Sequence, residues 1–124
     1  MSRKVDVTKL SVELLVERFV AISEAQDDAS LYGDIPEFNR LYRLKVAVVD
    51  ELQRRPGDQR SVLLPLYDHE NLQVRLNAVT GTLALAPEEG RRVLQEMAVS
   101  MKQPYAGDAG MTLRALDKGI FKPT

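Results

Sequence analysis

The sequence predicts an all-α protein of about six helices arranged as three antiparallel pairs. Two observations carry that expectation. Apolar residues recur at three- and four-residue spacing along most of the chain, and the β-branched ones follow the same rhythm instead of alternating as in strands. Helix-start and helix-stop residues (Ser11, Asp34-Ile35-Pro36-Glu37, Pro56-Gly57-Asp58, Pro87, Gly119) punctuate those runs at helix-sized intervals. At 124 residues the chain is expected to be one domain, spanning 1–124.

The first helix is expected to open at Ser11, a capping residue, with Leu10 placed to staple onto Leu15. Val12, Leu15, Val16, Phe19, Ile22 and Gln26 then follow one face, while Glu13, Glu17 and Glu24 share the other. It fades near Gly33. The second helix starts with Asp34 as cap, Pro36 in the first turn and Glu37 at the capping-box position. Phe38, Leu41, Tyr42, Leu44, Val48, Val49 and Leu52 form its apolar face, with Arg40, Arg43, Asp50, Glu51 and Arg54 opposite. A short third helix is expected from Asp58 to about Tyr67, kinked or closed by Pro65. A fourth runs from about Asn71 to Ala86. The fifth begins at Pro87 with Glu88 and Glu89 in its first turn, and Gly90 weakens it by about 1 kcal/mol relative to alanine. The sixth starts at Asp108 and stops at Gly119, and Ile120 and Phe121 are expected to pack back as an anchor.

Helix 71–86 is unusual because Arg75 is its only charged side chain. On a helical wheel Leu72, Leu76, Val79 and Leu83 fall on one side, and Val74, Ala78, Gly81 and Leu85 on another. A narrow polar strip of Gln73, Asn77 and Thr80 runs between them. A helix apolar on two sides is packed on two sides, as the inner helix of a stacked helical-repeat protein must be. The stretch LLPLYDHENLQVRLNAVTGTLA resembles a HEAT repeat, in which an aspartate at the turn precedes Val-Arg at the start of the second helix; Asp68, Val74, Arg75, Ala78 and Leu83 carry the match. The resemblance implies a HEAT-like α-solenoid stack and an intrachain structural role for the aspartate and the arginine. The turn from Asp68 to Val74 is about one residue longer than usual, and Pro65 lies closer to the aspartate. The segments RRPGDQR, YDHENLQVRL and AGDAGMTLRALDKGIFKP further resemble an uncharacterised bacterial domain-of-unknown-function family of small HEAT-like proteins. That resemblance implies a fold and no activity.

Composition narrows the function classes. Seventeen basic and eighteen acidic side chains leave a net charge of −1, without the basic excess that marks a nucleic-acid binder. Arg40, Arg43, Arg54, Arg55 and Arg60 are the arginines such a role would use, and neither nucleic acid nor membrane is expected as a partner. Cysteine is absent, which excludes disulfides and thiolate chemistry. No apolar run approaches the roughly 18 residues of a membrane span, and the start lacks a signal-peptide core, so the expected location is cytoplasmic.

The only histidine, His69, has no converging ligands in the sequence and reads as a turn residue. Gly57-Asp58 and Gly107-Asp108 read as helix caps, because a carboxylate at the cap takes the amide groups a phosphate would need. The acid pairs Asp27-Asp28 and Glu88-Glu89 fall at helix ends. No catalytic, metal-binding or cofactor-binding residue is assigned, and the protein is expected not to be an enzyme. Lys45 stands apart. It falls among Leu41, Val48, Val49 and Leu52, where it either snorkels to the rim or becomes buried with a lowered pKa.

The remaining expectation is a protein-binding face built from second helices: Arg43 and Arg54, then Gln73, Asn77 and Thr80, then Arg114 and Lys118. The function expected is a non-enzymatic protein–protein interaction module using that concave face. Small bacterial proteins that look like this sometimes neutralise a toxin or escort a partner, so an immunity-type inhibitor is its narrower form. The alternative is an enzyme or small-ligand-binding protein with a pocket near Tyr42, Lys45 and His69.

Overall fold

Capping chemistry sets most of the helix boundaries in the computed structural model, which describes residues 4–124. All regular structure among those residues is helical. The chain divides into two compact units, Met1–Val62 and Leu63–Thr124.

In the first unit, Asp6 caps a short 3₁₀ turn, Val7–Lys9, by accepting from the Thr8 amide at 3.0 Å. Helix α1, Val12–Leu31, begins where Ser11 accepts the Leu14 amide at 3.2 Å. It stops because Gly33 turns left-handed, at φ +68°, a conformation glycine adopts without strain. Asp34 then accepts the Glu37 amide at 3.1 Å and opens α2, Ile35–Arg54. Only half of the expected capping box forms. The Asp34 amide is already bonded to the Ala29 carbonyl at 2.8 Å, and the Glu37 carboxylate is held by Arg40.

α1 packs along α2. Leu15, Phe19 and Ile22 of α1 and Leu41, Val48 and Leu52 of α2 are buried, as the apolar spacing requires. Gln26 is buried with them. Glu51 departs from the expected polar face: it is buried, with Arg54 and Arg55 both on its carboxylate. Those hydrogen bonds, Arg55 first, hold its carboxyl below the usual range. Arg55 also donates to the Val7 carbonyl at 3.2 Å, which ties the first 3₁₀ turn to the end of α2.

A 3₁₀ segment, Gln59–Asp68, carries the chain into the second unit. An ordinary helix was expected there. Pro65 lies inside it and has no amide to give to a helical hydrogen bond of either kind, and the segment stays in the tighter winding. Asp58 does cap it, accepting the Arg60 amide at 3.2 Å and the buried Arg60 guanidinium at 2.7 Å.

In the second unit, Asn71 accepts the amides of Gln73 and Val74 and starts α3, Leu72–Thr82. α3 ends earlier than expected. Ala86, which precedes Pro87, is forced out of helical geometry (φ −142°, ψ 65°), and residues 83–85 form a turn with the Leu85 and Ala86 amides on the Thr82 carbonyl. Pro87 opens α4, Pro87–Val99, as expected. Gly90 has a packing role beyond its low helix propensity. A Cβ there would lie 2.7 Å from Leu83 Cδ2 and 3.4 Å from Val79 Cγ1. Next to it, the buried Tyr67 hydroxyl and Thr82 Oγ1 share a 2.5 Å hydrogen bond, linking the 3₁₀ segment to α3.

Helix α5, Tyr105–Asp117, packs on α4 and starts three residues before Asp108. Pro104 holds the cap position and offers no side-chain bond; Gln103, one residue earlier, accepts the Gly107 amide on its Oε1 at 2.9 Å, and Asp108 is a first-turn residue. The expected C-terminal anchor also needs correction. Both Ile120 and Phe121 donate their amides to the Ala115 carbonyl, but the Ile120 side chain is 77% exposed and Phe121 is half-buried.

Candidate functional site

The polar strip on α3 is not free surface. Gln73 and Asn77 are each only 4% exposed, and Gln73 Nε2 donates to Asn77 Oδ1 at 3.0 Å. Residues four apart on a helix face each other, so two amides at that spacing can satisfy one another and be buried together. Thr80, half-buried, donates to the Asn77 carbonyl at 3.3 Å. Gln73 and Asn77 therefore do not form an accessible docking strip. Arg43, Arg114 and Lys118 are exposed. Arg54 is exposed but engaged by Glu51. Arg43 and Arg54 belong to the first unit, and the other five residues to the second.

The arginines named for nucleic acid are largely neutralised locally. Arg40 pairs with Glu37, Arg54 and Arg55 with Glu51, and Arg60 with Asp58; among the described residues Arg43 alone of the five has no ion pair.

His69 sits in the turn before α3. Its Nδ1 accepts the Asn71 amide at 3.0 Å, and its carbonyl accepts the Arg75 guanidinium at 2.8 and 3.0 Å. The repeat-like arginine is thus satisfied by the His69 backbone, while Asp68 stays exposed. The His69 carbonyl thus fills the role that the resemblance gave to Asp68. Among the described residues no three His, Cys, Asp or Glu side chains converge as a metal site would need.

Lys45 is half-buried on α2, its Nζ 4.4 Å from the centroid of the Tyr42 ring. The ring favours the ammonium. Burial acts the other way and dominates, pushing the amine down to about 8.

The more developed feature lies elsewhere in the first unit. A groove of about 670 Å³ runs along α1 and α2. Leu14, Ala21 and Ala25 of α1, Leu41 and Leu44 of α2, and Val5 and Leu10 before α1 give it apolar walls. It is open: Leu14 and Val5 remain 48% and 42% exposed. Its polar groups are Glu17, Arg18 and Arg40. Arg40 is committed to Glu37 through contacts of 2.6 and 2.9 Å. Arg18 differs. Its Nε is buried and has no hydrogen-bond partner among the described residues, and the side chain makes no ion pair there. A buried donor without an acceptor costs on the order of 1–3 kcal/mol, more for a charged group.

Arg18 carried no expectation from sequence. The available signal was a second apolar row on α1, with Leu14, Ala21 and Ala25 beside the core row of Leu15, Phe19 and Ile22. Arg18 interrupts that second row at helical spacing.

The fold and this groove define a small all-helical protein built from helix pairs. Residues 13–117 match DUF2019, a domain of unknown function, and the chain belongs to that family. It is similar to the protein RPA1889 of Rhodopseudomonas palustris CGA009, known from a crystal structure. The two share 45% sequence identity and superpose with a TM-score of 0.92, over 98% of this chain and 100% of that one. A comparison with curated proteins found no match.

Proposed function

We propose that the protein is a non-enzymatic, cytoplasmic protein-binding module, and that its docking surface is the α1–α2 groove instead of the α3 strip. The observation that carries this reading is Arg18, a charged donor in an apolar, open groove with its Nε unsatisfied. Such a group raises the free energy of the unbound protein and gains an acceptor when a partner arrives. The exposed apolar side chains around it are the kind of surface that partners cover. An immunity-type inhibitor is one role a module of this sort can fill. The paired helices α1–α2 and α4–α5 and the largely buried α3 support a short HEAT-like stack as the scaffold.

The reading is tested by selecting displayed peptides on the wild-type protein and comparing them on Ala21→Arg, which places a long charged side chain into the groove from an exposed position. Binders that lose affinity on Ala21→Arg support the groove. Binders that hold wild-type and variant equally well would move the docking surface elsewhere.

The Tyr42–Lys45 pair favours a second reading, a small-ligand site. A half-buried amine with its pKa lowered to about 8 is partly neutral near neutral pH and so is a better nucleophile or base than an ordinary lysine. Loss of binding to an aldehyde probe on Lys45→Met, with the fold intact, would support it.

A further inference from the structure

The groove's geometry points to a specific occupant: we infer that it takes an amphipathic α-helix of a partner protein, carrying one carboxylate that pairs with Arg18. This rests on the protein-binding reading above and adds the partner's secondary structure and charge.

Length is the first argument. The α1 wall runs from Leu14 to Ala25, twelve residues whose eleven rises span about 16 Å of α-helix. That is three turns, the span over which an amphipathic helix presents anchors at i, i+3 or i+4, and i+7.

Shape is the second. Ala21 and Ala25 lie one turn apart on α1, and small side chains in a helix wall allow another helix to approach closely. A strand would need an unpaired sheet edge to join, and no sheet is present among the described residues. A small molecule is ordinarily enclosed over most of its surface. Here the groove wall includes Leu14, nearly half exposed.

Charge is the third. Arg40 is occupied by Glu37, which leaves the Arg18 guanidinium as the cation available in the groove. A guanidinium fork matches a carboxylate in bidentate geometry. Glu17, exposed beside it, repels a second acid at its own position. The matching helix therefore carries one acid opposite Arg18 and a neutral or basic residue opposite Glu17.

The experiment uses the full chain and a displayed library of three-turn helical peptides, randomised at the apolar stripe and at its flanks. Selected peptides are synthesised with a fluorescent label and titrated against wild type, Ala21→Arg, Arg18→Gln and Arg18→Glu. The expected result is a helical apolar spacing with one Asp or Glu. Affinity should be lost on Ala21→Arg and fall on the order of ten-fold on Arg18→Gln, as expected for a charge-assisted pair. On Arg18→Glu, binding should return when the peptide acid is changed to lysine.

Selected peptides that depend on Ala21 but show no acid, and no loss on Arg18→Gln, would overturn the inference and leave the groove reading standing. Peptides indifferent to Ala21→Arg would overturn both. A homodimer in light scattering that dissociates on Ala21→Arg would make the occupant a second copy of this chain and overturn the separate partner. Decanoate bound in an Arg18-dependent manner, with no helical peptide selected, would replace the helix by an aliphatic carboxylate and overturn it as well.

Discussion

The α1–α2 groove and the α3 helix place polar side chains among apolar ones in opposite ways. On α3, Gln73 and Asn77 are buried and bonded to each other, and Thr82 is buried with its hydroxyl on Tyr67 and on the Ala78 carbonyl. In the groove, Arg18 has a buried Nε with no acceptor, next to apolar side chains that face solvent. The α3 groups complete a closed interior. Arg18 leaves an open surface incomplete. Hydrogen-bond satisfaction, more than polarity or exposure, separates a polar group that holds the fold from one left without an acceptor.

The sharpest test sets Gly90, which packs from α4 against Val79 of α3 and Leu83, against Ala21 in the groove. Gly90→Val puts a branched side chain where even a Cβ would lie 2.7 Å from Leu83 Cδ2. Overpacking of this kind costs about 1–3 kcal/mol, toward the upper end because Leu83 is itself 2% exposed. Ala21→Val in the groove meets solvent and should change stability by under about 1 kcal/mol, mostly through helix propensity. Urea unfolding of the two variants measures both, and equal losses would mean the groove is as closed as α3.

Next in size is the amide pair. Asn77→Leu removes the acceptor of Gln73 Nε2 inside the protein and should destabilise by about 1–3 kcal/mol. Adding Gln73→Leu removes the stranded donor as well, so the double variant should lose less than the two single losses summed. Strict additivity in that cycle would show that the two amides do not depend on each other.

Local chemistry was the most legible part of this molecule. Ser11, Asp34, Asn71 and Pro87 sit at helix starts because each acts within three residues of itself. The core rows of α1 and α2 largely follow from spacing, except that Tyr42, expected on the apolar face of α2, is 50% exposed. Failures came where a partner lies outside the local pattern. Gln103, one residue before the cap position, accepts a first-turn amide of α5 where Asp108 was expected to cap, Arg54 and Arg55 permit Glu51 to be buried, and the His69 carbonyl takes the arginine that the resemblance assigned to an aspartate. The docking strip failed for a related reason. A wheel shows that Gln73 and Asn77 are polar but not that they satisfy one another. Nothing local marks Arg18, because a single arginine on a helix ordinarily reaches solvent.

Lys45 adds a pH-dependent test within the first unit. Its folded pKa, about 8, lies below the ordinary 10.5, so between those values the unfolded chain binds more protons than the folded one. Stability from this group therefore rises as pH goes from about 8 to 10.5 and is flat below that window. Other lysines and the tyrosines also titrate there, so the quantity to follow is the difference between wild type and Lys45→Met. Lys45→Met should be the more stable at pH 7, and its advantage should shrink toward pH 10.5. An advantage that stays constant across the range would show that the amine is charged and solvated in the folded protein.

The smallest expected effect bears most directly on the contrast. Arg18→Met keeps the length and apolar stem of the side chain and removes a buried donor that has no acceptor among the described residues. Replacing a structural arginine with methionine strands its acceptors and destabilises. Here no acceptor is stranded, so stability should stay within about 0.5 kcal/mol of wild type or increase. Asn77→Leu and Arg18→Met, measured side by side in urea, thus predict opposite outcomes for the loss of one polar side chain from an apolar setting. A loss above about 2 kcal/mol for Arg18→Met would place Arg18 with Asn77 among the groups that hold the fold together, and would remove the basis for the acidic partner proposed above.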